Sequence, residues 1–528
     1  MGPDLKKISV TTWLILGGIF LYTASLWQRP LFVSEFAENS GAINALCSGS
    51  SETCSDFVRS FLFKYTGFSP FAFRIPNALL ALLAGGTLLL AGRNSSFSRI
   101  STAAALMFLL SPAIFLSGTA ALSFMVSGAP VIISFYLLYL MSESNSGKRS
   151  FLWGCGALVF SLPVPFFQGR IAPLLFVLAV WLVYAVSSLF LKSPEERGRR
   201  EVLRHFTPAL YLVLALLPPI FINNWQHSVF ALPRSSDLKT LAAFAAAGSF
   251  PWILFMTGAM RNFSERFRRL CRDSFTRSAL VLAAASFIMA LFTPASAAFF
   301  VPFLGGMAVL LAAGLEMEHE ENGFRSFNII LYILAVVFFL AAAGIGTWSA
   351  LGIYTNLLNS ACKIFSARDA WALTAIVPAV AAVWCLTAAG EKISKERKFL
   401  SLCAGIAFLL LAFHGLVPLK VIEYNAPGNF LKKVVLSRTG TEACFYGDAS
   451  MLAPLQTLLK GAQIKLLSHS SSATEIKEGL KAGKKMCVVT LSQEESKKLP
   501  FPKTTLRSGN FIAVFYNIDF PEMRVRKP

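Results

Sequence analysis

The chain has 528 residues, of which 55% are hydrophobic and 14% are charged, and its mean hydropathy is +0.60. Soluble domains carry charged residues at about a quarter of their positions, so this composition excludes an ordinary soluble protein. The net charge of +20 would suit a nucleic-acid partner, but the basic residues are spread over short segments between apolar runs instead of forming one patch.

Apolar runs of about 20 residues, long enough to cross the hydrocarbon core of a bilayer, recur along the chain up to residue 419. They predict thirteen transmembrane helices, at 9–27, 76–92, 100–117, 121–141, 151–167, 171–191, 206–223, 243–260, 278–293, 297–315, 327–347, 370–389 and 399–419. The first run has no small-residue cleavage site and is interpreted as a retained span. The connections within 100–141 and 278–315 are very short, so either pair could be divided wrongly.

The distribution of basic residues predicts the orientation of these spans. With the N-terminus inside, the inner segments hold 22 basic residues and the outer loops before residue 420 hold nine. This is the positive-inside bias of cytoplasmic-membrane proteins, so the basicity records topology and some attraction to anionic lipid, not nucleic-acid binding. The loop 28–73 and the segment 420–528 are then both extracytoplasmic.

The loop 28–73, between the first two spans, is unusually long and polar. Ser34 is placed to cap a helix that runs to about Leu46, with an apolar stripe of Phe36, Ile43 and Leu46. Glu35 and Glu38 would share a turn of its polar face, at the height of the bilayer surface. Carboxylates there can deprotonate an acceptor hydroxyl or hold a divalent metal such as Mg²⁺ or Mn²⁺; alternatively they only stabilise the positive end of the helix.

Two arginines at the outer interface run against the local charge bias. Arg74 precedes the second span, and Arg170 opens the sixth. Because a guanidinium can contact a phosphate through two nitrogens, both residues are candidate ligands for a lipid-linked phosphate. Snorkelling of each side chain to the membrane surface is the alternative.

Residues 420–528 differ in composition and predict a separate α/β domain, which leaves 1–419 as the membrane domain. Short apolar runs predict strands at 442–446, 463–467, 485–491 and 510–518, and helices are predicted at 450–459 and 474–482. Asp448 follows the first strand, where α/β sheets often place ligand groups, although a turn with a helix cap is the simpler interpretation. Cys47 with Cys54, and Cys444 with Cys487, are candidate disulfides or free thiols.

The span interiors contain almost no ionisable residues, which disfavours an ion-coupled transporter. Phosphate-loop, dinucleotide-binding and hydrolase nucleophile motifs are also missing from the sequence.

Several short stretches resemble the GT-C membrane glycosyltransferases, specifically those related to dolichyl-phosphate-mannose protein mannosyltransferases and to lipid A aminoarabinose transferase. Leu31–Glu35 stands where the family has Leu-Trp-x-x-Asp-Glu, and Lys64–Pro76 is similar to its Lys-Leu-Phe-Gly run into the second span. The other similar stretches are Gln168–Pro173, Phe250–Trp252 and Phe299–Pro302.

This resemblance implies a GT-C-like fold of about thirteen transmembrane helices with a small extracytoplasmic α/β domain. It implies transfer of a sugar from a polyprenyl-phosphate-linked donor to an extracytoplasmic lipid, glycan or protein acceptor, in the cell inner membrane. Glu35 would be the surviving acid of the family's pair and the catalytic base or metal ligand, with Glu38 assisting. Arg74 and Arg170 would hold the donor phosphate. A non-catalytic GT-C-fold protein that binds lipid-linked glycans is the first alternative, and a transporter or flippase is the second.

Overall fold

The computed structural model describes residues 10–27, 35–36, 39–48, 54–66, 69–95, 100–120, 123–162, 172–191, 199–221, 248–255, 263–292, 296–322, 325–351, 368–390, 395–416, 426–459, 462–467, 471–500, 503–508 and 510–518. These residues form a helical membrane region followed by a small α/β domain. The predicted boundary at 419/420 lies outside the described residues.

Helices occupy twelve of the thirteen predicted spans. The first part of the membrane region contains α1 (Val10–Trp27), α2 (Ser40–Ser48), α3 (Cys54–Thr66), α4 (Pro70–Ala91), α5 (Ile100–Leu109), α6 (Pro112–Thr119), α7 (Ser123–Glu143), α8 (Gly147–Ser161), α9 (Ala172–Phe190) and α10 (Arg199–Phe221). The second part contains α11 (Phe263–Arg272), α12 (Ser274–Phe292), α13 (Ser296–Asn322), α14 (Arg325–Leu351), α15 (Arg368–Gly390) and α16 (Lys395–Leu416). Of the predicted span 243–260, residues 248–255 are described, and they include a 3₁₀ turn, Trp252–Phe255.

Among the described residues, six helices are long and apolar enough to cross a bilayer, and a bent pair makes a seventh. The stretches Gly17–Leu26, Ala375–Gly390 and Lys398–Ala412 are apolar but shorter. The chain is therefore a multi-pass helical membrane protein, as its composition predicts.

The predicted span 100–117 is broken into α5 and α6, which meet at an angle of 59°. Pro112 begins α6 and has no backbone N–H, so the helical hydrogen-bond ladder is interrupted there. The Tyr22 hydroxyl of α1 donates to the Leu109 carbonyl at 3.0 Å, and the Asn77 amide of α4 donates to the Ser117 and Ala120 carbonyls at 3.2 and 2.7 Å. Tyr22 thus satisfies a carbonyl at the break, and Asn77 satisfies carbonyls at the far end of α6.

Helix α7 lies at the centre of the bundle, because its segment Met125–Glu143 is buried along its whole length. Helices α4, α8 and α13 pack around it. Helix α14 packs mainly on α15, and its long apolar side chains are largely exposed, as expected of a surface that faces lipid.

The terminal domain contains a five-stranded sheet in the order β2-β1-β3-β5-β4. Its strands are β1 (Cys444–Gly447), β2 (Ile464–Leu466), β3 (Met486–Thr490), β4 (Thr504–Ser508) and β5 (Phe511–Tyr516). Strands β2, β1 and β3 are parallel, whereas β5 runs antiparallel to both of its neighbours, β3 and β4. The helical elements of the domain are Pro427–Phe430, Leu431–Leu436, Ser437–Thr439, α17 (Ala449–Leu458), α18 (Ser471–Lys481) and α19 (Gln493–Lys498).

Side chains alternate between the two faces of this sheet, as the two-residue strand period requires. Phe445, Cys487 and Phe515 contribute to one apolar cluster, which includes residues of α17. Tyr446 and Val488 contribute to the cluster on the other face, together with residues of α18. All four predicted strands and both predicted helices are confirmed, but β4 and α19 were not predicted. Cys444 and Cys487 are free thiols.

Candidate functional site at the start of the second span

Glu35 and Arg74 form a two-pronged ion pair. Arg74 Nε lies 2.7 Å from Glu35 Oε1, and Arg74 Nη2 lies 2.7 Å from Glu35 Oε2. The two side chains are exposed over 0% (Arg74) and 1% (Glu35) of their surface. A parallel pair of charge-assisted hydrogen bonds is the strongest geometry that a guanidinium and a carboxylate can adopt.

The position of Arg74 follows from the start of α4. Ser69 Oγ accepts a hydrogen bond from the Ala72 amide at 3.2 Å, and Pro70 supplies the first helical residue, whose missing N–H needs no partner there. Arg74 lies one turn further on and also donates through Nη1 to the Leu26 carbonyl, 3.2 Å away, near the end of α1. The guanidinium therefore joins the ends of two helices to the loop residue Glu35.

A second polar contact fixes the backbone on the other side of Glu35. Asn39 Nδ2 donates to the Glu35 carbonyl at 2.7 Å, and Arg59 Nη1 of α3 donates to Asn39 Oδ1. Asn39 and Arg59 are both buried. Glu35 is thus held both at its backbone carbonyl and at its side-chain carboxylate.

An apolar cluster lies beside these polar contacts. The Phe36 and Phe73 rings meet edge to face at a centroid distance of 5.3 Å, and Phe63 stacks on Phe73 at 4.4 Å. Ala453, on α17 of the terminal domain, is buried in the same cluster. Because Phe36 and Phe73 are the chain neighbours of Glu35 and Arg74, the terminal domain packs directly beside the ion pair.

The structure describes two of the four predicted site residues. The structure brings Glu35 and Arg74 together, whereas Glu38 and Arg170 lie outside the described residues. The predicted apolar stripe is confirmed, since Phe36 and Ile43 are buried and Leu46 packs against them. Glu35 was predicted to lie on the polar face of its helix, at the height of the bilayer surface. In the structure its carboxylate is instead buried against the guanidinium of Arg74.

Sequence reasoning did not assign a role to Asn39. Its position four residues after Glu35 is the spacing at which side chains meet along one face of a helix. This four-residue spacing from Glu35 was the sequence feature that could have identified Asn39.

The described part of the chain does not assemble a metal-binding set. Within it, no group of three or more His, Cys, Asp or Glu side chains is placed to hold an ion. Both carboxylate oxygens of Glu35 contact the Arg74 guanidinium, whose positive charge would compete with a metal ion for the carboxylate. These residues as arranged do not fit a divalent metal, and no chemical step is assigned to one.

Asp448 has a structural contact in the terminal domain. Its Oδ2 accepts hydrogen bonds from Thr490 Oγ1 at 2.6 Å and from the Leu491 amide at 3.1 Å. The carboxylate therefore ties the end of β1 to the end of β3, next to the start of α17.

The arrangement of helices, outer loop and terminal sheet is the GT-C membrane fold. Two crystal structures share it over nearly their whole length: ArnT from Cupriavidus metallidurans bound to undecaprenyl phosphate and the same protein in the apo state. The TM-score is 0.67 in each case, with 16% and 15% sequence identity, covering 96% of this chain and 98% of ArnT. The resemblance to aminoarabinose transferase is thus confirmed at the level of the fold. No protein-family model matches the chain, and no curated protein matches it significantly.

Proposed function

We propose that the protein is a membrane glycosyltransferase that moves a sugar from a polyprenyl-phosphate-linked donor to an extracytoplasmic lipid, glycan or protein. The observation that carries this proposal is a buried carboxylate–guanidinium pair on the first long loop of a fold that ArnT also has. ArnT binds undecaprenyl phosphate in one of its structures. The proposed location is the cell inner membrane, with the N-terminus in the cytoplasm.

The reaction suited to this site is a direct displacement with inversion at the anomeric carbon. The acceptor oxygen or nitrogen forms a bond to the anomeric carbon while the bond from that carbon to the phosphate oxygen breaks. The acceptor proton passes to Glu35, and the bonding electrons leave with polyprenyl phosphate. A carboxylate has about four lone-pair sites and a two-pronged guanidinium takes two, so a paired carboxylate can still accept a proton.

In this proposal Arg74 holds Glu35 in place and adds positive charge near the leaving phosphate, where developing negative charge is stabilised by fixed donors. Arg170 is proposed to contact the donor phosphate, and Glu38 to assist Glu35. Both roles come from the sequence alone.

The decisive experiment separates binding from transfer. The full chain, purified in detergent, is titrated with undecaprenyl phosphate and with undecaprenol, and lipid binding is measured by the shift in thermal unfolding. Transfer is then measured by mass spectrometry as release of polyprenyl phosphate from a panel of polyprenyl-phosphate-linked sugars with added acceptors. We expect preferential binding of the phosphorylated lipid and turnover of at least one donor.

Two variants assign the role of the carboxylate. Glu35→Gln should lower turnover by at least a factor of about 100, the lower end of the range for a general base. Asn39→Ala is the matched control, because it loosens the same loop and leaves the carboxylate intact. Equal losses in the two variants would show that Glu35 serves only the loop structure.

A second candidate is a non-catalytic lipid-binding protein with this fold. It is favoured by the engagement of both Glu35 oxygens with Arg74 in a buried position. It predicts phosphate-dependent lipid binding with no turnover of any donor, whereas failure to bind undecaprenyl phosphate would contradict both candidates.

A further inference from the structure

The short helix α11 lies at the membrane face opposite the Glu35–Arg74 pair. Helix α4 starts beside that pair and runs for 22 residues, which corresponds to about 33 Å at the helical rise per residue. Just beyond its far end, Ser95 Oγ donates to both oxygens of Asp273 at 3.1 Å, and Asp273 stands between α11 and α12. Since the hydrocarbon core is about 30 Å thick, α11 lies at the opposite interface.

Helix α11 is fixed to the bundle at its last turn. Arg277 of α12 donates through Nη1 to the Cys271 carbonyl at 2.9 Å. Asp273 Oδ2 accepts from the Thr276 amide at 2.9 Å and so caps the start of α12. The last turn of α11 is therefore tied to the start of α12.

The two sides of α11 have different surroundings. Arg266 is buried and Leu270 packs against the membrane core, so this side faces the protein. Arg268 and Arg272, one turn apart, are exposed on the opposite side, and the Phe267 ring beside them is 38% exposed. The helix carries four arginines and one acid, Glu265, which leaves a cationic surface next to an exposed ring.

From this surface we infer that α11 binds the headgroup of an anionic phospholipid in the leaflet opposite Glu35. Arg268 and Arg272 pair with the lipid phosphate, and Phe267 inserts among the upper parts of the acyl chains. A basic helix with an exposed aromatic ring at the interface suits anionic bilayers. Guanidinium groups also match phosphate oxygens through two parallel hydrogen bonds. The site does not depend on transferase activity.

The test uses the full chain in a neutral detergent, titrated with phosphatidylglycerol or with phosphatidylcholine, and follows the thermal unfolding midpoint. A lipid that binds the folded state raises this midpoint with the logarithm of its concentration once that concentration exceeds its dissociation constant. Each basic residue near an anionic surface contributes about 1 kcal/mol, so Arg268→Gln/Arg272→Gln should weaken the apparent phosphatidylglycerol affinity about thirtyfold.

The matched control is Lys148→Gln/Arg149→Gln, at the exposed start of α8, which follows α7 by a short turn. It removes the same charge without touching α11, and we expect its titration to follow that of the unmodified protein. Phe267→Ser should weaken binding several-fold, whereas Phe151→Ser, another exposed ring, should not.

Three outcomes would overturn the inference: equal responses to the two lipids, equal losses in the two double variants, or an equal stabilisation by soluble polyglutamate. The last outcome would indicate that the surface binds an acidic protein instead of a lipid. Unfolding midpoints without added lipid should agree between the two double variants and the unmodified protein, because the substituted charged side chains are exposed.

Discussion

The buried Glu35–Arg74 ion pair allows a quantitative prediction about the free energy of unfolding. The side chains of Glu35 and Arg74 are exposed over 1% and 0% of their surface, so the pair is a buried one. The contribution of about 0–1 kcal/mol to the free energy of unfolding that is typical of solvent-exposed ion pairs therefore does not apply to it. Removing one member of a buried pair leaves an uncompensated charge and costs about 3–5 kcal/mol. We therefore expect Glu35→Gln and Arg74→Met each to lower the free energy of unfolding by about 3 kcal/mol or more.

The double variant should behave differently, because it leaves no buried charge. Replacing a buried pair by uncharged side chains of similar volume is often close to neutral, so Glu35→Gln/Arg74→Met should recover most of the sum of the two single losses. Unfolding of the purified protein by SDS titration in mixed micelles measures all four free energies of the cycle. A double variant whose loss equals the sum of the single losses would refute the reasoning, because independent sites are additive.

Three further predictions concern the terminal domain. Ala453→Phe should overfill the contact of α17 with Phe36 and lower the free energy of unfolding by about 1–3 kcal/mol, while Ala482→Phe, at an exposed position, should not; SDS titration measures both. Asp448→Ala should cost about 1–3 kcal/mol through the lost acceptor for Thr490 and Leu491 and leave glycosyl transfer unchanged, as the donor-release assay would show. Burial raises the pKa of the Cys487 thiol, so maleimide at pH 8 should label Cys487 only when the domain unfolds, as peptide mapping can establish.

The part of the outer loop that depends on local periodicity could be predicted from the sequence. Phe36, Ile43 and Leu46 recur at helical spacing and are indeed the side chains that pack inward. The burial of Glu35 could not be predicted in the same way, because its partner lies 39 residues further along the chain. Periodicity identifies which face of a helix is apolar, but it does not identify a distant charge that makes burial of an acid favourable.

The same ion pair explains why the predicted second span began too late. Apolar composition predicted a start at residue 76, because Arg74 is a charge that an isolated apolar helix would exclude. In the structure α4 begins at Pro70, since Ser69 caps it and Glu35 neutralises the arginine. Strand β4 was missed for a related reason: its sequence is polar and mostly exposed, and pairing with β5 alone makes it a strand.

Structural and catalytic roles of Glu35 are separable, because they depend on different properties of the site. Stability depends on whether the charges of the two side chains balance, so the variant Glu35→Gln/Arg74→Met should be nearly as stable as the unmodified protein. Proton transfer depends on a carboxylate at position 35, which this variant lacks. We therefore expect it to fold and to release no polyprenyl phosphate from any donor. Recovery of turnover together with stability would mean that Glu35 acts only through the fold, and the base would then have to be sought elsewhere on the outer loop.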